Sequence, residues 1–223
     1  MDAEFFEYDD ITWQVIPPPA RYPVPAQFVR DLKVGDEVTI GVPDKYFIEG
    51  QILLRPEPES IALPDETKPR PSLGVCAPIY YWTWRVDEKR IPLMQWWPVE
   101  WVWVYQDAVP PGGEQRELAA ADVGAAPGHS WLDRVRHDAT EPPVLNPVPA
   151  REAGALTGRT VRSRNSAGEW FWFVAVSEPV DVGGDICVHA VAQSHWWLHQ
   201  VTYYAELLEK VRVIPLHRLF AYV

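Results

Sequence analysis

Apolar positions alternate along several short stretches of this chain, and two sets of stretches read as copies of one another. From Leu32 the first set runs L-K-V-G-D-E-V-T-I, a short turn, Y-F-I-E-G-Q-I-L-L, the aromatic run I-Y-Y-W-T-W-R-V, and I-P-L at Ile91 to Leu93. From Leu156 the second runs L-T-G-R-T-V-R-S, a turn, W-F-W-F-V-A-V, I-C-V-H-A-V-A, and I-P-L at Ile214 to Leu216. Val34, Val38 and Ile40 share one side of a predicted strand; Phe47 to Leu54 mark a second, Ile79 to Val86 a third, and the period-two run Val99 to Tyr105 another. The stretch Arg55 to Gly74 has no period and reads as a surface loop. In the second copy, Trp197, Val201, Tyr204 and Leu208 recur at helical spacing after the third strand, predicting an inserted helix.

These patterns divide the chain into a Pro-rich arm (1–30) with an added edge strand over Thr12 to Ile16, a first β-module (31–107), a linker (108–153), and a second module (154–223). Within the linker, Ser130 followed by W-L-D-R-V-R-H reads as an N-cap and a short helix. The 23 prolines and 12 tryptophans fit short strands joined by stiff turns, not a helix-rich fold.

The repeated pattern, L-x-x-G-x-x-V, then aromatic-x-x-small-x-aliphatic, an aromatic third strand and a closing element such as V-I-P-L-H-R-L-F (Val213 to Phe220), resembles Tudor and Agenet modules of the SH3-like barrel class. The resemblance implies a mainly β chain: two small SH3-like barrels, a Pro-rich linker, and one or two short helices. It also implies an aromatic cage for a cation, since the π-face attracts an alkylated ammonium or a guanidinium. Carried over by position, the candidates are Trp82 and Trp84 in strand three and Trp172 in strand two, with Tyr46 standing in because Ile48 is not aromatic, and Trp196 or Trp197 completing the second cage. The competing reading is that these rings pack cores.

Charge narrows the partners. The net charge is -11, with 18 acidic and 10 basic side chains in residues 1–110 and 13 and 10 in residues 111–223. Such a field repels phosphate backbones and attracts cations, so nucleic acid is disfavoured and a cationic protein or peptide favoured. Arg159, Arg162 and Arg164 beside Trp170 and Trp172 form the basic cluster, read as a solvated strand edge. His189, His195 and His199 lack the glutamate of a hydrolytic zinc helix, and Cys187 with His189 lacks an orienting carboxylate. No cofactor, metal or catalytic residue is assigned. Cys76 and Cys187 read as buried thiols, and an acidic start without any run of 18 apolar residues predicts a cytoplasmic protein. The expectation is a non-enzymatic recognition module with aromatic and acidic surface; the alternative is an acidic inhibitor or immunity protein that neutralises a basic toxin or nuclease.

Overall fold

The computed structural model describes residues 17–62, 68–107, 142–165, 167–202 and 210–223. The expected edge strand at Thr12 to Ile16, the linker helix from Ser130, and the helical positions Tyr204 and Leu208 lie outside these residues. The chain is mainly β, with two antiparallel sheets in two compact units: Arg21–Val144, and Leu145–Val223 together with the residues before Arg21.

In the first unit the strands are β1 (Arg21–Pro25), β2 (Glu37–Val42), β3 (Tyr46–Ile61), β4 (Arg70–Cys76), β5 (Gln95–Pro98) and β6 (Val102–Asp107), with helix α1 (Pro78–Val86) between β4 and β5. They pair in the order β1-β6-β2-β3-β4-β5. Period-two alternation sends Val38, Ile40, Leu53, Leu73, Val75 and Val102 into one core. Each is at most 1% exposed. The opposite side of β3 and β4 carries Ile52, Leu54 and Cys76, which α1 covers with Tyr81, Trp82 and Trp84.

The second unit holds β7 (Pro147–Pro149), β8 (Thr160–Arg164), β9 (Trp170–Ala175), β10 (Val180–Val182), β11 (Asp185–Ala192), helix α2 (Gln193–Thr202), β12 (Arg212–Pro215) and β13 (Phe220–Tyr222). The order is β10-β11-β9-β8-β13-β7, with β12 on β11. Leu156, Val161, Phe173, Ala175, Val188, Ala190, Ile214, Leu219 and Ala221 fill its core.

The two units repeat one plan. In each, a strand and a 3-10 turn precede the first long strand, a helix follows the third strand of the core set, and a last strand returns to pair with the first (β6 on β2, β13 on β8). Gly35 and Gly158 sit at matching places with φ of +101° and +83°. Their N–H groups donate to Leu53 and Ala175 carbonyls at 2.9 and 2.7 Å, while the N–H groups of Leu53 and Ala175 return to Asp36 and Arg159 at 2.9 and 3.0 Å. Only glycine takes that left-handed φ without strain.

Four prolines, Pro25, Pro98, Pro149 and Pro215, each precede a 3-10 turn with φ between -50° and -56° and ψ between 131° and 134°. Proline sets that φ in advance and needs no N–H partner there.

Several expectations are corrected. Neither pairing path closes into a barrel; β1 and β7 occupy the far edges of β6 and β13 and end the sheets. Ile79 to Val86 is helical, because Pro78 occupies the first turn, where its missing N–H is harmless. The third strand is instead β4, which starts within the expected loop Arg55 to Gly74, and β3 takes up the other end of that loop as far as Ile61. The structural counterpart of Ile214-Pro215-Leu216 is Trp97-Pro98-Val99, not Ile91-Pro92-Leu93, which lies outside any strand. The run Val99 to Tyr105 is split by the turn Val99–Trp101.

Candidate functional site

The face of the second sheet away from its core carries a layer of rings around one cation. Val161 and Phe173 point to the core, so alternation turns Arg162, Trp172 and Phe220 to the other side, where Arg162 pairs in register with both. The Arg162 guanidinium lies 4.5 Å from the Trp172 ring centre and 5.7 Å from that of Trp170. Arg162 is 5% exposed, so the expected solvated basic edge is, at this position, a buried cation over aromatic rings. Arg164 also reaches Trp170, at 5.9 Å, and donates through Nε to the Gly168 carbonyl at 2.6 Å. Trp172 lies 5.5 Å from Tyr222, and Trp170 meets Phe220 edge-on at 6.0 Å.

Tyr222 links this layer to a proline. Arg162 Nη1 donates to Tyr222 Oη at 2.9 Å, and Oη donates to the Pro19 carbonyl at 2.9 Å. The hydroxyl accepts from the guanidinium on one lone pair and directs its single proton to the carbonyl.

The first unit repeats the arrangement at Tyr105. Its Oη donates to the Pro143 carbonyl at 2.9 Å. Arg21 stacks on the ring at 5.4 Å and donates from Nη2 to the Tyr105 carbonyl at 3.0 Å. Burial, with Glu49 adding to it and Arg21 opposing, pushes the Tyr105 phenol up to about 12. It therefore stays a donor at neutral pH.

The two prolines stand in one sequence pattern. Pro18-Pro19-Ala20-Arg21-Tyr22-Pro23-Val24-Pro25-Ala26 and Pro142-Pro143-Val144-Leu145-Asn146-Pro147-Val148-Pro149-Ala150 share P-P-x-x-x-P-V-P-A. Pro18 and Pro142 are both buried. Ala26 and Ala150 are each 1% exposed and enter the respective cores. Sequence reasoning assigned these segments to an arm and a linker; the identical spacing was the signal that extends the repeat back to them.

The cage candidates fall in separate places. Trp82 and Trp84 lie on α1, packed with Tyr81 at 5.2 and 6.0 Å over Ile52, Leu54 and Cys76. Tyr46 opens β3 and is 54% exposed. Trp196 and Trp197 are half-buried on α2, and Trp172 faces Arg162. Ile48 packs on the core of the first unit, whereas Trp172 is on the outer side. A bulge in β3 accounts for this: the register slips between Val38 and Ile40, and Gly50 there has φ +63°. Counting through a bulge moves a side chain to the other face.

Among the described residues no group of three His, Cys, Asp or Glu could hold a metal ion, and no helix is long and apolar enough to cross a membrane. His195 Nε2 lies 3.4 Å from Lys210 Nζ; burial, then Lys210 and Arg212, hold its pKa below the usual histidine range. Cys187 is buried on β11, its thiol raised by burial and by Asp185 and Asp181. Comparison of the chain with protein-family models, with characterised proteins and with solved structures finds no match.

Proposed function

We propose that the chain is a non-enzymatic recognition protein of two SH3-like modules that takes a peptide or protein partner on apolar and aromatic surface. The connectivity supports the module assignment: five core strands, the last pairing back with the first, is what the resemblance implies, with β1, β7 and the short edge strand β10 as additions. The observation that carries the binding reading is the outward side of α1 and the loop after it. Ile79, Tyr80, Val86, Ile91 and Leu93 are 41%, 42%, 50%, 93% and 61% exposed. A stretch of chain that exposes several large apolar side chains close together in sequence is the kind of surface a partner covers. The helix that presents them is fixed from beneath by Tyr81, Trp82 and Trp84, so those rings act as support.

The test is selection of binders from a random peptide library on the immobilised chain. Enriched peptides should lose binding to an Ile91→Asp, Leu93→Asp double variant and keep it with Tyr46→Ala. Binding untouched by the double variant would remove this surface from the reading.

The charge of -11 favours a second reading, an inhibitor of a basic toxin or nuclease. Partner binding that falls steeply between low and moderate salt would select it; salt-independent binding would select the apolar surface.

A further inference from the structure

We infer that Tyr105 and Tyr222 are the centres of two copies of one binding site, whose ligand is an extended peptide carrying two adjacent prolines. The site is separate from the α1 surface and stands or falls without it. Each copy already holds such a ligand, supplied by the chain itself: Pro142-Pro143 at Tyr105 and Pro18-Pro19 at Tyr222. In both, the first proline is buried and the carbonyl of the second accepts from the tyrosine hydroxyl at 2.9 Å. Two independently encoded segments reaching the same atoms in the same way define a recognition rule.

The chemistry explains why prolines fill it. A proline pair has no N–H to satisfy, so its first ring can be buried while carbonyls are the only polar backbone groups left to pair. A hydroxyl fixed as a donor meets that need, and an aromatic wall meets the apolar ring. At Tyr222 the ring is backed by Trp172, 5.5 Å away, and Arg162 fixes the hydroxyl. At Tyr105 the guanidinium of Arg21 lies on the ring instead, leaving the Pro143 carbonyl as the partner of the hydroxyl. The tyrosine and the proline carbonyl are thus common to both copies and the arginine geometry is not.

Because the ligand is tethered, its effective concentration is on the order of millimolar, and a free peptide must compete with it. The experiment uses the full chain, a peptide of residues 142–150 (P-P-V-L-N-P-V-P-A), and the same peptide with Ala at both leading prolines. The readout is the Trp172 indole N–H signal in NMR, beside the Tyr222 ring. In a Pro18→Ser, Pro19→Ser variant the diproline peptide should shift this signal at a concentration about tenfold lower than in the unaltered chain. Tyr222→Phe in that background should abolish the gain, and the Ala-Ala peptide should not bind. If the double variant does not fold, titration of the unaltered chain with millimolar peptide decides, since displacement must still move Trp172. A signal that stays fixed in both chains, or responds equally to both peptides, overturns the inference.

Discussion

The two units are built on one strand plan yet are filled differently. Leu53 and Ala175 hold equivalent backbone positions, reading from their matched hydrogen bonds to Asp36 and Arg159. The first core uses the leucine there; the second leaves that place to alanine and inserts Phe173, whose counterpart in the pairing with β2 is the polar Gln51. On the outer face, Thr39 opposite Trp103 matches Arg162 opposite Phe220, and both polar residues are buried, at 4% and 5% exposed. Helix α1 seals a second apolar cluster, whereas α2 has no buried residue. Backbone turns fixed by glycine and proline are held constant, and volume and charge are redistributed around them.

The largest effect that would test this comparison comes from exchanging the two core residues. Leu53→Ala removes a fully buried side chain and should lower unfolding stability by about 2–5 kcal/mol, while Ala175→Leu should overpack its site at about 1–3 kcal/mol. Equilibrium denaturation by tryptophan fluorescence measures both; a neutral Leu53→Ala would contradict the assigned core.

Arg162→Met keeps the stem over Trp172 but strips Tyr222 Oη of its donor, for an expected loss of about 1–3 kcal/mol. The glycines give a finer contrast. A Cβ at Gly35 would meet Tyr81 Oη at 2.7 Å, whereas one at Gly158 meets nothing within 4 Å. Both alanine variants carry strain of about 1–2 kcal/mol from the left-handed φ, and Gly35→Ala should be the worse of the two. Equal midpoints would show that α1 yields freely.

Tyr105 should give a smaller, pH-resolved signature. Its phenol is raised from an ordinary 10.0 to about 12, so the fold favours the neutral form. That contribution is complete below about pH 10 and is lost as pH climbs towards 12. Denaturation midpoints from pH 8 to 12 should decline less in Tyr105→Phe. Smallest of all, the Cys76 thiol, pushed up to about 11 chiefly by burial, should resist alkylation in the native chain and react once denatured.

How much of this was legible beforehand depends on which physical signal each element uses. The strands β2 and β8 announce themselves through Gly35 and Gly158 three residues before Val38 and Val161, since both the turn and the alternation are local. The duplication was visible for the same reason. The helix α1 was not, because Y-Y-W-T-W satisfies both a two-residue and a helical period, and what decides is Pro78 at its start and the apolar face of β3 and β4 beneath it. Trp172 was visible as a candidate, but its occupant was not: Arg162 comes to it by strand pairing, and Tyr222 lies 50 positions further on. Proline-rich stretches read as spacers because nothing local shows that a tyrosine far along the chain will grip them.

That grip sets an unusual rule for trimming the molecule. Strand pairing alone places the beginning of the first sheet at Arg21, and a shortened chain starting there would retain every hydrogen-bonded rung of that sheet. The injury would surface elsewhere, at Tyr222, whose hydroxyl would lose Pro19 while Arg162 still presses on it from behind. In this protein the edge of a sheet is therefore a poor guide to where scissors can safely fall.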